Sequence, residues 1–188
     1  MYRAAVIVFP KAEELDFAGV WQALGTTEHL SKKVCIRPCL VGTVTGPIKC
    51  AHGLTVMVDD DVNDLSKYDM VVVPGGPGVS EAMKNKSLLV GIRKMYEAGK
   101  TVCSVCTGAF VLAEAGVLKG KRATTYHTRM DELAKYDVFP VRERVVVEGK
   151  VVTGAGVAAS IDVGLKIVEI FLGHESARKV SEWIEYRP

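Results

Sequence analysis

Thr101-Val-Cys-Ser-Val-Cys106-Thr-Gly-Ala-Phe110 is the stretch whose reading decides the fold. Its first five residues are β-favouring and do not alternate, as expected of a strand covered on both faces. From Thr107 to Leu118 the chain is apolar nearly all round, which predicts a buried helix. A buried strand running straight into a helix is the opening of an α/β unit. Working outward, Ala4–Phe9 and Met70–Val73 read as further buried strands, and Val34–Val41 and Leu54–Val58 as less covered ones. Between them lie helical stripes. Phe17, Val20, Trp21 and Leu24 mark one over Asp16–Leu30; Leu88, Leu89, Ile92 and Met95 mark another over Ser87–Ala98, closed by Gly99. Glu148-Gly149-Lys150 between Val145–Val147 and Val151–Val152 signals a hairpin. Ser160–Leu172 and Ala177–Trp183 complete the helices. Alternating elements of this kind imply a mostly parallel sheet with right-handed crossovers, in one α/β domain over residues 1–188.

Composition excludes several functions. The 188 residues are 48% hydrophobic and 24% charged, with a net charge of +2. No concentrated basic face is evident, so neither nucleic acid nor membrane is an expected partner. A membrane span needs about 20 nearly uncharged residues. The most apolar late stretch, Val157–Leu172, is broken by Asp162, Lys166 and Glu169. With the sequence ending at Pro188, no DNA-binding module is expected after the domain. Five cysteines are odd in number and too sparse for a disulfide scaffold, which favours a reducing, cytoplasmic location.

In open α/β sheets the sites form at the carboxyl ends of strands, and three such ends carry suggestive residues. At the first, Cys106 occupies a strand-to-helix corner with Gly108 leaving room for the bend. The helix beyond would lower the thiol pKa. The alternative is a small apolar residue that merely begins a buried helix. Cys103 and Cys106 also spell C-x-x-C, but an extended segment holds them roughly 10 Å apart. A disulfide tolerates about 7 Å, so Cys103 is read as core. At the second end, Gly75 and Gly76 follow Val73-Pro74. Their N–H groups, joined by that of Thr107, would make an anion cradle; otherwise they form a plain tight turn. At the third, Asp16 after Ala12-Glu13-Glu14-Leu15 would serve as general acid or base toward Cys106, or simply as the N-cap of its helix. Glu13 and Glu14 are read as solvated.

These pieces together resemble the ThiJ/PfpI superfamily of parkinsonism-associated deglycase, PfpI-type peptidases and isocyanide hydratases. "AEELD" at 12–16, "VVPGGPG" at 72–78 and "SVCTGAFVLAEAGVLKGKRATT" at 104–125 resemble its acidic segment, glycine turn and cysteine elbow. "AGVAASIDVGLKIV" at 155–168 resembles the C-terminal helix entry of the branch shared by isocyanide hydratases and the sensor domains of AraC-type regulators. The resemblance implies a flavodoxin-like three-layer sandwich, class I glutamine amidotransferase-like. It implies Cys106 as nucleophile, Asp16 as its carboxylate partner, a small-molecule substrate, no cofactor and a homodimer. Thr107 after the cysteine, and aspartate rather than glutamate at 16, point to isocyanide hydration. Glyoxalase, deglycase, peptidase or amidase chemistry is the alternative, and a redox-responsive or ligand-sensing protein a third.

One departure weakens the alternatives. Relatives carry a histidine directly after "TT", where this chain has Tyr126, with His127 one place later. In a strand one step turns a side chain to the other face, so His127 is not expected to inherit that role. Cys35, Cys39, Cys50 and His52 match no common zinc spacing, and no metal is expected. His29 and His174 are placed at helix ends, and Trp21 and Trp183 in packing. Trp21 is also a candidate wall of the pocket, because its helix begins at Asp16.

Overall fold

A computed structural model describes residues 1–187; Pro188, the last residue of the expected domain, lies outside the described residues. Seven strands build the main sheet: β1 (Tyr2–Val8), β2 (Ile36–Gly42), β3 (Asp60–Asp61), β4 (Met70–Val73), β5 (Thr101–Val105), β6 (Val145–Glu148) and β7 (Val151–Gly154). Their order is β6-β7-β5-β4-β1-β2-β3. Every pairing is parallel except the β6/β7 hairpin, where Glu148 faces Val151 across Gly149 and Lys150. The longer helices are α1 (Glu14–Leu30), α2 (Lys86–Glu97), α3 (Gly108–Glu114), α4 (Ala159–Leu172) and α5 (His174–Trp183). This is the mostly parallel sheet that the strand–helix alternation predicts, in the three-layer sandwich that the resemblance implies.

Strand geometry divides the core. Successive side chains leave opposite faces, so β4 sends Val71 and Val73 to one side and Met70 and Val72 to the other. β5 likewise parts Val102 from Cys103 and Val105. The larger cluster gathers Phe9, Phe17, Leu88, Ile92, Phe110 and Leu112. The smaller holds Leu24, Val163, Ile167 and Val180 from α1, α4 and α5, and it includes Cys106. Both faces are therefore apolar, which is why the central strands show no alternation in sequence. Among the described residues, no helix is long and apolar enough to cross a membrane.

Three local expectations are corrected. Leu54–Val58 is not a strand of the main sheet. Only Thr55–Val56 is extended, and it pairs with Ile48–Lys49 in a separate ladder while Leu54 and Met57 stay exposed. The sheet edge is instead Asp60–Asp61, short and acidic, the kind of edge that resists further pairing. The helix expected to reach Leu118 stops at Glu114, where Gly116 turns the chain with φ +80°. Finally, α1 starts two residues before Asp16, so Asp16 is not its cap.

Candidate active site

Cys106 occupies the two-residue corner between β5 and α3, and the corner is strained. Its φ is +55°, a left-handed conformation that costs a residue bearing a β-carbon. Both backbone groups are pinned. The N–H donates to the carbonyls of Ala155 at 2.7 Å and Gly154 at 3.1 Å. The carbonyl accepts from the Thr125 hydroxyl at 2.8 Å. The side chain lies in the smaller cluster with the residue only 6% exposed.

Asp16 comes from the first turn of α1 and is wholly buried. Its Oδ2 accepts from the N–H of Gly75 at 2.7 Å. Its Oδ1 is buried with no hydrogen-bond partner among the described residues. Burial pushes the carboxyl up to about 7, with the charge of Glu13 adding; the N–H of Gly75 and the thiol of Cys106 oppose this. The two expected partners are thus brought together.

The thiol itself differs from expectation. Burial first, and then the charge of Asp16, push it up to about 12. The N–H and hydroxyl of Thr107 and the N–H of Val157 pull the other way without prevailing. A helix of seven residues has too little dipole to outweigh desolvation beside an acid. The resting state is a neutral thiol beside a carboxyl that titrates near neutrality, so proton transfer to Asp16 can accompany attack.

The anion cradle is also built differently. The N–H of Gly75 is taken by Asp16, and that of Gly76 donates to Thr107 Oγ1 at 3.1 Å. Neither faces the sulfur. The backbone donors acting on the thiol are those of Thr107 and Val157. Val157 escaped the sequence reading because it belongs to the loop after β7 and meets the corner only once β5 and β7 pair. Gly75 has a different role. A β-carbon there would stand 2.5 Å from Thr107 Oγ1 and 3.0 Å from Cys106 Cβ, so its missing side chain lets the turn approach the cysteine.

Tyr126 and His127 do not lie on a strand, so the alternation argument does not apply to them. The strand ends at Ala123, and His127 opens a 3₁₀ turn through Arg129. His127 is exposed and makes no hydrogen bond to Cys106 among the described residues. Tyr126 is half-buried against the cluster that holds Cys106, its ring lying over Gly156. Trp21 packs on the larger cluster, away from that of Cys106. Trp183 stacks on His29 at a centroid distance of 5.3 Å. All five cysteines are free, and burial raises the Cys103 thiol well above its ordinary range.

Glu13 and Glu14 are not simply solvated. Glu14 accepts from the backbone N–H of His52 at 2.7 Å and meets its ring Nδ1 at 2.9 Å; Glu13 lies 3.4 Å from the same nitrogen. His52 therefore groups with these two carboxylates rather than with cysteines, and the three could together offer oxygen and nitrogen ligands to a cation. No sequence spacing joins residues 13, 14 and 52; the loop after Cys50 brings them together.

A parallel α/β sandwich with a strained cysteine at a strand-to-helix corner, opposite a buried carboxyl, defines a recognisable class of protein. Residues 2–170 match the model of the DJ-1/PfpI family, and the chain belongs to that family. It is 34% identical over 182 residues to the isonitrile hydratase of Pseudomonas putida, covering 97% of this chain and 77% of that protein. A deglycase of Pyrococcus horikoshii is 38% identical over 111 residues, covering 57% of this chain and 64% of its own length. The crystal structure of Drosophila melanogaster DJ-1beta superposes with a TM-score of 0.89 at 26% identity, covering 100% of this chain and 99% of that one.

Proposed function

We propose that this protein hydrates isocyanides, with Cys106 as nucleophile and Asp16 as the group that carries the proton. The observation behind this reading is that Cys106 and Asp16 are both buried at the same corner, with Asp16 held by the N–H of Gly75 through one oxygen and its other oxygen unpartnered, and with no histidine hydrogen-bonded to either side chain among the described residues. Similarity to an isonitrile hydratase over 97% of the chain supports it.

Addition of a thiol across R–N≡C needs one group that takes the sulfur proton and returns it to carbon. Asp16 as carboxylate accepts the proton while Cys106 Sγ bonds to the terminal carbon. The same proton then passes to that carbon, giving the thioimidate R–N=CH–S–Cys. Water adds to this carbon as Asp16 relays one of its protons to nitrogen. The tetrahedral adduct breaks its C–S bond, returns a proton to sulfur and releases the N-formamide R–NH–CHO. The N–H groups of Thr107 and Val157 stabilise charge on the departing sulfur. No external oxidant or reductant is needed.

An alkyl isocyanide at saturating concentration, followed by NMR for formamide, tests the reading. Wild type is expected to turn over and Cys106→Ala to be inactive. Undiminished turnover by Cys106→Ala, or none by wild type, overturns it. Partial similarity to a deglycase favours a second reading, attack of Cys106 on the aldehyde of methylglyoxal. Turnover of methylglyoxal but not of isocyanide in the same assay would select it. Under that reading the exposed His127 offers no second base.

A further inference from the structure

We infer that Thr125 is a positioning residue of the active site: its hydroxyl orients the Cys106–Thr107 peptide and thereby aims the Thr107 N–H at the sulfur and the reacting carbon. The inference begins with the peptide plane. The carbonyl of Cys106 and the N–H of Thr107 belong to one rigid unit and point in opposite directions. Whatever holds the carbonyl aims the N–H.

Within α3 the carbonyl of Cys106 finds only a long 3.4 Å contact from the N–H of Ala109. The strong donor is the Thr125 hydroxyl at 2.8 Å, and Thr125 is 1% exposed. Water therefore cannot replace it without a rearrangement. Thr125 is itself held. The preceding residue, Thr124, donates its N–H to Thr153 Oγ1 at 3.0 Å, and Thr153 lies on β7 directly beside Ser104 of β5. The donor and the strand leading to Cys106 are thus parts of one hydrogen-bonded frame.

Strain gives this bond a job beyond satisfying a buried carbonyl. At φ +55°, Cys106 gains by relaxing toward negative φ, and that relaxation would turn the peptide. The Cys106 N–H is fixed by Ala155, so the peptide on its other side is the one free to move. Thr125 opposes that turn.

The inference rests on Cys106 as nucleophile but not on the substrate, so the test uses alkylation. Iodoacetamide labelling of Cys106 in the full chain is followed by peptide mass spectrometry from pH 7 to 10, with a thermal melt of each variant. Thr125→Val is expected to slow alkylation at every pH by about tenfold. That is less than the 10²–10³ of losing an oxyanion donor outright, because the Thr107 hydroxyl and Val157 N–H remain. Thr125→Ser is expected to retain the wild-type rate. An unchanged rate in Thr125→Val, or a faster one from a loosened thiol, overturns the inference, as does Thr125→Ser reacting as slowly as Thr125→Val. If Thr125→Val does not fold, the smaller Thr125→Ala supplies the same comparison. Failure to hydrate isocyanides by a wild type whose Cys106 alkylates is a separate result, bearing on the substrate alone.

Discussion

The backbone N–H of Gly75 donates to Asp16 Oδ2 across 2.7 Å, tying the turn after β4 to a carboxyl 59 residues earlier in the chain. That bond occupies one oxygen of Asp16 and leaves the other, buried and unpartnered, as the proton acceptor available to Cys106. It also explains why the glycine turn does not serve as an anion cradle. Its first amide stabilises a carboxylate of the protein itself, and its second is spent on Thr107.

Activity should follow the ionisation of Asp16. The acceptor is the carboxylate, and the carboxyl titrates at about 7, so kcat/KM for isocyanide is expected to rise with pH through neutrality. The thiol, raised to about 12, stays protonated across that range. Asp16→Asn should lower kcat by about 10²–10⁴-fold, the usual worth of a positioned acid–base group. A flat wild-type profile between pH 6 and 8 would contradict the assignment.

The same carboxyl should make folding stability fall as pH rises. Its folded value, about 7, lies above its ordinary 3.8, so the native state holds the proton more tightly. This group's contribution is fully present below pH 3.8 and is lost as pH climbs through 7. The full difference corresponds to about 4 kcal/mol. Asn at position 16 can still accept from Gly75 and carries no charge. Asp16→Asn is therefore expected to be more stable than wild type at pH 8, by up to about 4 kcal/mol, and nearly equal to it at pH 4. Urea unfolding at the two pH values measures the difference.

Gly75→Ala should damage chemistry and stability together. Its β-carbon would stand 2.5 Å from Thr107 Oγ1 and 2.6 Å from Thr107 N, so the corner must shift. Overpacking of this kind costs about 1–3 kcal/mol. We expect a lower melting temperature and a fall in kcat larger than any change in KM, because the displaced groups act on the sulfur. Steady-state kinetics beside a melt would show it.

Gly156→Ala should act instead through Tyr126, which packs on the cluster that holds Cys106 and which we expect to border the bound substrate. The added methyl would lie 2.9 Å from the Tyr126 ring and tilt it. KM is expected to rise several-fold, most for isocyanides with bulky R groups, while kcat for the smallest changes little. Equal effects on small and bulky substrates would place Tyr126 outside the pocket.

Local pattern alone determined much of this protein. The unalternating strands at Ala4, Met70 and Thr101, the helical stripes and the hairpin at Gly149 all follow from side-chain periodicity, a property of neighbouring residues. Cys106 and Asp16 stood out as candidates because each follows a strand and meets a helix start, but the residues alone left a core thiol and an N-cap as equal readings, and the family resemblance chose between them. The rest required the folded chain. Leu54–Val58 looks like a strand of the main sheet by composition, but only Thr55–Val56 is extended, it pairs with Ile48–Lys49 instead, and Leu54 and Met57 stay exposed. Val157 and Thr125 reach the Cys106 corner through pairing of β7 with β5 and through the loop that follows Ala123. The helix terminus suggested a depressed thiol pKa, yet desolvation, a property of the whole packed surroundings, pushes it up to about 12. Periodicity names the elements because it is local; burial and long-range hydrogen bonds set the chemistry because only the tertiary structure removes water from Cys106 and Asp16 and brings them together.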